Sequence, residues 1–91
     1  MENEKLITEF LEFQCKHWKN LSIKKDGNTW YVKMQKKSWK VAPAIIRVVM
    51  NDGITIDDYS SKYKFSEFKE FKNTFVDILK NKVESLSSLK I

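Results

Sequence analysis

One cysteine, Cys15, one histidine, His17, and one proline, Pro43, are all the chain holds of three chemically distinctive residues. A lone cysteine closes no internal disulfide, and small secreted domains usually depend on several, so an intracellular, cytoplasmic setting is expected. Zinc needs about four Cys, His or carboxylate ligands, and the usual set is missing. Cys15 and His17 are two apart on an expected helix, where side chains do not face one another, so they make a poor nucleophile and base. There are two glycines, Gly27 and Gly53, and both belong to turn signals. No glycine remains for a phosphate-cradling loop. No stretch approaches the ~20 apolar residues of a membrane span. The opening MENEKLITEF is acidic and lacks the apolar run of a secretory leader. No cofactor, metal, catalytic residue or membrane is expected.

What the chain has instead is lysine and aromatic side chains. Ninety-one residues carry a net charge of +5, with 13% aromatic and 42% hydrophobic content. That length makes one domain, expected to span 1–91, with 85–91 frayed. The charge is uneven. Between Lys16 and Arg47 lie nine Lys or Arg against Asp26 alone, a local balance of +8. All three tryptophans, Trp18, Trp30 and Trp39, are in the same stretch.

Residues 3–18 have helical periodicity. Leu6, Phe10, Phe13 and His17 form the main stripe, and Ile7, Leu11 and Trp18 widen it. Asn3 is the expected cap. Residues 20–24 alternate as a short strand, and Lys25-Asp26-Gly27-Asn28 signals a hairpin turn. In 29–35, Trp30, Val32 and Met34 oppose Thr29, Tyr31, Lys33 and Gln35. Residues 39–50 make the longest strand, with Pro43 at an edge or a break. Its run Ala44–Met50 is either central or buried on both faces. Asn51-Asp52-Gly53 repeats the hairpin signal, and Ile54–Asp58 follows as a fourth strand. Asp58 to Phe65 is expected as a loop. Ser66 caps a helix over 66–84, whose Phe68, Phe71, Phe75, Ile78 and Leu79 keep helical spacing.

The expected fold is α+β: helix, four-stranded antiparallel meander, helix. Both helices must bury apolar stripes, so both should pack on one sheet face and leave the other open. Phe65, Phe68, Phe71 and Phe75 are expected in the core. Trp18 and Trp30 are expected there too, and Trp39 beside the Lys36-Lys37 connection is the interface candidate. Asp52, Asp57 and Asp58 form an acidic cluster, but turn geometry and strand alternation account for the first two.

The remaining candidate site is basic and aromatic: Lys24, Lys25, Tyr31, Lys33, Lys36, Lys37, Trp39 and Lys40. A ring beside cations suits an acidic protein surface, or as the alternative a polyanion such as DNA or RNA bound by the Lys-rich 24–40 region. The same residues also suit a solvated face whose edge lysines discourage strand-to-strand aggregation. Ile45-Ile46-Arg47-Val48, then Asn51-Asp52-Gly53, a short strand and a helix with Phe68, Phe71 and Phe75, resembles small phage anti-CRISPR proteins that block type II effectors. The resemblance covers 44–79. It implies a non-catalytic inhibitor or adaptor of mobile-element type, whose partner is a host protein or nucleoprotein complex. Members that imitate DNA are strongly acidic. This chain is basic, so the resemblance does not imply mimicry of DNA, to which only Asp52, Asp57 and Asp58 would contribute.

Overall fold

A computed structural model describes residues 2–35, 44–58 and 61–88, with side chains for 3–35, 44–58 and 61–84. The elements run α1 (Glu2–His17), β1 (Leu21–Asp26), β2 (Thr29–Met34), β3 (Ala44–Met50), β4 (Ile54–Asp58), β5 (Ser61–Phe65) and α2 (Phe68–Ser88). The strands form one antiparallel sheet in the order β1-β2-β3-β4-β5.

Among the described residues the sheet has five strands rather than four. The expected loop before α2 contains β5, which pairs with β4 from Ile54↔Phe65 to Asp58↔Ser61. Its alternation is real but unlike that of a core strand. Lys62 and Lys64 are exposed, and even Tyr63 on the other side keeps 39% exposure. An edge strand buries little, so its apolar signal is weak.

Local chemistry explains the turns. Asp26 pairs with Thr29, so the first hairpin loop is only Gly27-Asn28. Gly27 has φ +62°, while Asn28 has an ordinary negative φ. Glycine in the first central position is the type II′ requirement. β1 therefore runs through Lys25 and Asp26, which the sequence suggests as turn residues. Asn28 also clasps β3, donating from its side chain to Met50 O at 2.8 Å and accepting from Met50 N at 2.9 Å. The second hairpin has a three-residue loop, Asn51-Asp52-Gly53, with Asp52 at φ 54° and Gly53 at φ 120°. β3 lies in the middle of the sheet and is buried on one face only. Ile46 and Val48 are enclosed, and Ile45 is 48% exposed. The part of the expected strand before Ala44 lies outside the described residues.

Both helices pack on the same face. Ile7 and Leu11 of α1, Phe71, Phe75 and Leu79 of α2, and Leu21, Trp30, Val32, Met34, Ile46, Val48, Ile54 and Ile56 of the sheet form one core. α1 buries the line Ile7, Leu11 and Gln14, with Trp18 packed beside it. Leu6 and Phe13, in the stripe expected to be primary, are 41% and 62% exposed. Two adjacent apolar lines compete on this helix, and a helix wedged against a sheet buries the one facing it. Phe10 lies between them and meets Phe68, Phe71 and Phe75 edge-on, at 5.6–6.0 Å between centroids. Asn3 lies inside α1 rather than capping it, and Lys16 and His17 close its last turn, where cations suit the helix dipole. Asn20, at φ 69°, then reverses the chain into β1, and asparagine tolerates this region better than most residues. In α2 the Glu67 carbonyl, not Ser66, accepts the first backbone bond, from Phe71 N, and the helix continues to Ser88 instead of ending at 84.

The largest core side chain is also anchored by a polar contact. Trp30 Nε1 donates to Thr8 Oγ1 at 3.1 Å, and Thr8 Oγ1 donates to Glu4 O at 2.9 Å. Trp30 has no exposure. Thr8→Val keeps the side-chain shape but leaves the indole N–H without an acceptor. It should lower unfolding free energy by about 1–3 kcal/mol in urea titrations.

Candidate functional site: the open face of the sheet

With both helices on one side, strand alternation assigns the other side. Its rows follow from the pairing register. The central row is Lys24, Tyr31, Arg47, Asp57 and Lys62, one residue from each strand. Beside it runs Asp26, Thr29, Val49, Thr55 and Lys64, and on the other flank Ser22, Lys33 and Ile45. None of these residues is buried. Five cations face two carboxylates, so the described part of the face has a balance of +3. The Arg47–Asp57 pair lies at the centre, Tyr31, Ile45 and Val49 are grouped around Arg47, and Lys24, Lys33, Lys62 and Lys64 stand among and outside them without apolar cover.

The described cations divide according to their partners. Arg47 is held by Asp57 at 2.5 Å across β3 and β4. Lys82 of α2 reaches Asp58 at 2.7 Å and ties that helix to the end of β4. Lys25 alternates onto the helix side. There it binds Glu4 at 2.6 Å, donates to Gly27 O at 2.6 Å and lies 5.3 Å from the Trp30 ring centre. The hydrogen bond from Lys25, with its charge, holds the Glu4 carboxyl below the usual carboxylate range. This pair is solvent-accessible, so its effect on stability is small. By contrast, Lys24, Lys33, Lys62 and Lys64 have no carboxylate within ion-pair distance among the described residues.

Of the residues expected to form the site, Lys24, Tyr31 and Lys33 share the open face. Lys25 is on the opposite side, engaged within the fold. Lys36, Lys37, Trp39 and Lys40 lie outside the described residues. Three basic side chains join the face unannounced: Arg47, Lys62 and Lys64. The last two are recoverable from the alternation of Ser61, Tyr63 and Phe65 against Lys62 and Lys64 once 61–65 is recognised as a strand.

The acidic cluster is spread over separate tasks. Asp52 sits in a turn, Asp57 holds Arg47, and Asp58 holds Lys82. Among the described residues no three His, Cys, Asp or Glu side chains gather as a metal site would need. His17 stacks on Phe13 and meets Trp18 edge-on. Burial, then the nearby Glu12, pushes the half-buried Cys15 thiol above its ordinary value, which disfavours the nucleophilic thiolate. Among the described residues no helix is long and apolar enough to cross a membrane. Compared with family models, curated proteins and solved structures, the chain matches none of them.

Proposed function

We propose that this protein is a non-catalytic binding module of inhibitor or adaptor type, which docks its open sheet face on an acidic surface of a protein or nucleoprotein partner. One observation carries the reading. The open face keeps four cations without carboxylate partners among the described residues, with Tyr31, Ile45 and Val49 accessible around a central Arg47–Asp57 pair, while Lys25 and Lys82 are engaged elsewhere in the fold. Tyrosine and arginine are enriched in protein interfaces, and their rims are polar. Rim charges of one sign speed encounter with an oppositely charged partner and set orientation. The resemblance to phage inhibitors of nucleoprotein effectors points to the same class of partner, and its first part, 44–58, supplies the β3–β4 hairpin at the centre of the face. Nucleic acid fits less well. Tyr31 is the only ring on the described part of the face, and single strands are usually held by several stacking rings.

The test is charge reversal on the face. Lys24, Lys33 and Lys64 are changed together to Glu, and Lys62 is spared because it lies opposite Asp57. Like charges forced together at an interface cost several kcal/mol, so affinity for the partner isolated with the wild-type protein should fall about a hundredfold or more. Thermal midpoint should stay within about 5 °C, since exposed substitutions are nearly neutral to stability. Unchanged affinity overturns the proposal. So does tight binding of the wild type to random DNA or RNA with a log–log salt slope of about 0.7–0.9 per phosphate contact, because the polyanion is then the ligand.

A further inference from the structure

The open face is not flat. Above β1, β2 and β3 it sinks into a depression of about 500 Å³, lined by Ser22, Lys24, Asp26, Tyr31, Lys33 and Ile45. From its chemistry we infer that this depression is the anchor point of the face. It takes one carboxylate side chain together with an aliphatic neighbour, presented by an acidic segment of the partner protein. The inference rests on the open-face reading above and narrows it to a place and a ligand chemistry.

The register sets two lysines side by side. Lys24 lies opposite Tyr31 and Lys33 opposite Ser22, so the lysines are diagonal neighbours on adjacent strands. Diagonal positions are about 7–8 Å apart, within reach of long side chains converging on one anion. Neither lysine has a carboxylate partner among the described residues. The Ser22 and Tyr31 hydroxyls add donors of the kind that orient a bound anion.

Charge arithmetic selects a monoanion. Two lysines and Asp26 leave the depression at +1. One carboxylate neutralises that charge. A phosphate monoester brings about −1.5 to −2, overshoots, and faces the Asp26 carboxylate. No arginine lines the depression, so the planar fork that favours phosphate is missing, and the nearby Arg47 is held by Asp57. The apolar part of the ligand is set by Ile45. It is 48% exposed on the central strand and lines the depression beside the Tyr31 ring. Exposed aliphatic surface in a concave, positively charged place favours an acidic residue with an aliphatic companion over a free small anion.

The experiment titrates the ¹⁵N-labelled full chain at low salt with the blocked peptide acetyl-Glu-Leu-Glu-Leu-amide and follows amide shifts. Shifts centred on Ser22, Lys24, Tyr31, Lys33 and Ile45 are expected. Binding should weaken about tenfold when both Glu are Gln, or when Lys24 and Lys33 are both Gln, the size expected for one lost close charge pair. A peptide with both Leu replaced by Ser should also bind more weakly. Shifts centred instead on Arg47, Lys62 and Lys64 overturn the depression while leaving the open-face reading intact. Shifts confined to the groove that Phe13 lines with Lys72, Val76 and Asp77 between the helices, or no shifts at all, overturn both. Equal binding of the Glu and Gln peptides removes the carboxylate. Displacement of the peptide from the same residues by oligothymidylate at lower concentration replaces the acidic protein segment with nucleic acid.

Discussion

Replacing Phe71 by alanine should remove about 3–5 kcal/mol of folding stability. The ring has no exposure and meets four others: Phe10 at 5.7 Å, Phe65 at 6.4 Å, Phe68 at 5.9 Å and Phe75 at 5.7 Å between centroids. It is the point where α1, β5 and α2 converge. Truncation loses the transfer energy of the ring and leaves a cavity whose walls belong to three elements, so no single side chain can collapse into it. Edge-to-face and tilted pairs contribute beyond their area, about 0.5–1.5 kcal/mol each. A domain of this size holds only about 5–14 kcal/mol in total. The variant should therefore lose about a fifth or more of its stability, with a thermal midpoint lower by about 12–40 °C. Urea unfolding followed by near-ultraviolet circular dichroism and by fluorescence measures it. Phe68→Ala is the comparison, since that ring is only half-buried and should cost clearly less. A loss below about 1 kcal/mol for Phe71→Ala would mean that the ring is not enclosed.

Gly53→Ala should be nearly as damaging, through the backbone rather than the core. Gly53 has φ 120°, a conformation that side-chain-bearing residues rarely adopt, and a Cβ there would lie 2.9 Å from the Phe65 carbonyl oxygen. The conformational cost alone is about 1–3 kcal/mol. The contact adds to it, because its other partner is backbone and cannot swing aside. Phe65 pairs with Ile54, so the displaced carbonyl belongs to the β4–β5 ladder. Amide exchange should therefore speed up first in β5, before the rest of the sheet responds. Gly27→Ala is the control. It also has positive φ, 62°, but a Cβ there meets nothing within 4 Å. It should cost about 1–2 kcal/mol from the backbone alone and leave β5 protection unchanged. Equal losses at the two glycines, or a stable Gly53→Ala with normal β5 exchange, would mean that the close approach to Phe65 is not there.

These two sites mark the boundary between local and global information in the chain. Much of the architecture follows from local signals. Gly27 and the Asn51-Asp52-Gly53 run place two hairpins, because few residues tolerate positive φ. Strict alternation in 29–34 assigns Trp30, Val32 and Met34 to one side and Tyr31 and Lys33 to the other. Helical spacing of Phe71, Phe75 and Leu79 identifies the buried line of α2. The order of helix, meander and helix, with an open sheet face opposite the helices, then follows from the need to cover both apolar stripes.

Tertiary structure decided matters on which local signals are balanced or weak. β5 encloses no side chain completely and packs only Phe65 closely against the core, so its lysines look like those of a loop until β4 is there to pair with. α1 carries two adjacent apolar lines, and packing on the sheet selected Ile7, Leu11 and Gln14 while leaving Phe13 exposed. Lys25 belongs to a basic run, but strand β1 extends through it and turns it toward Glu4 and the Trp30 ring. Composition by itself determined that the chain would be basic and where along its length the charge is densest. Composition does not say which cations are free. That depends on carboxylates distant in sequence, Glu4 for Lys25 and Asp58 for Lys82, and on the register that sets Asp57 opposite Arg47. Pairing across the fold leaves Lys24, Lys33, Lys62 and Lys64 on one open face.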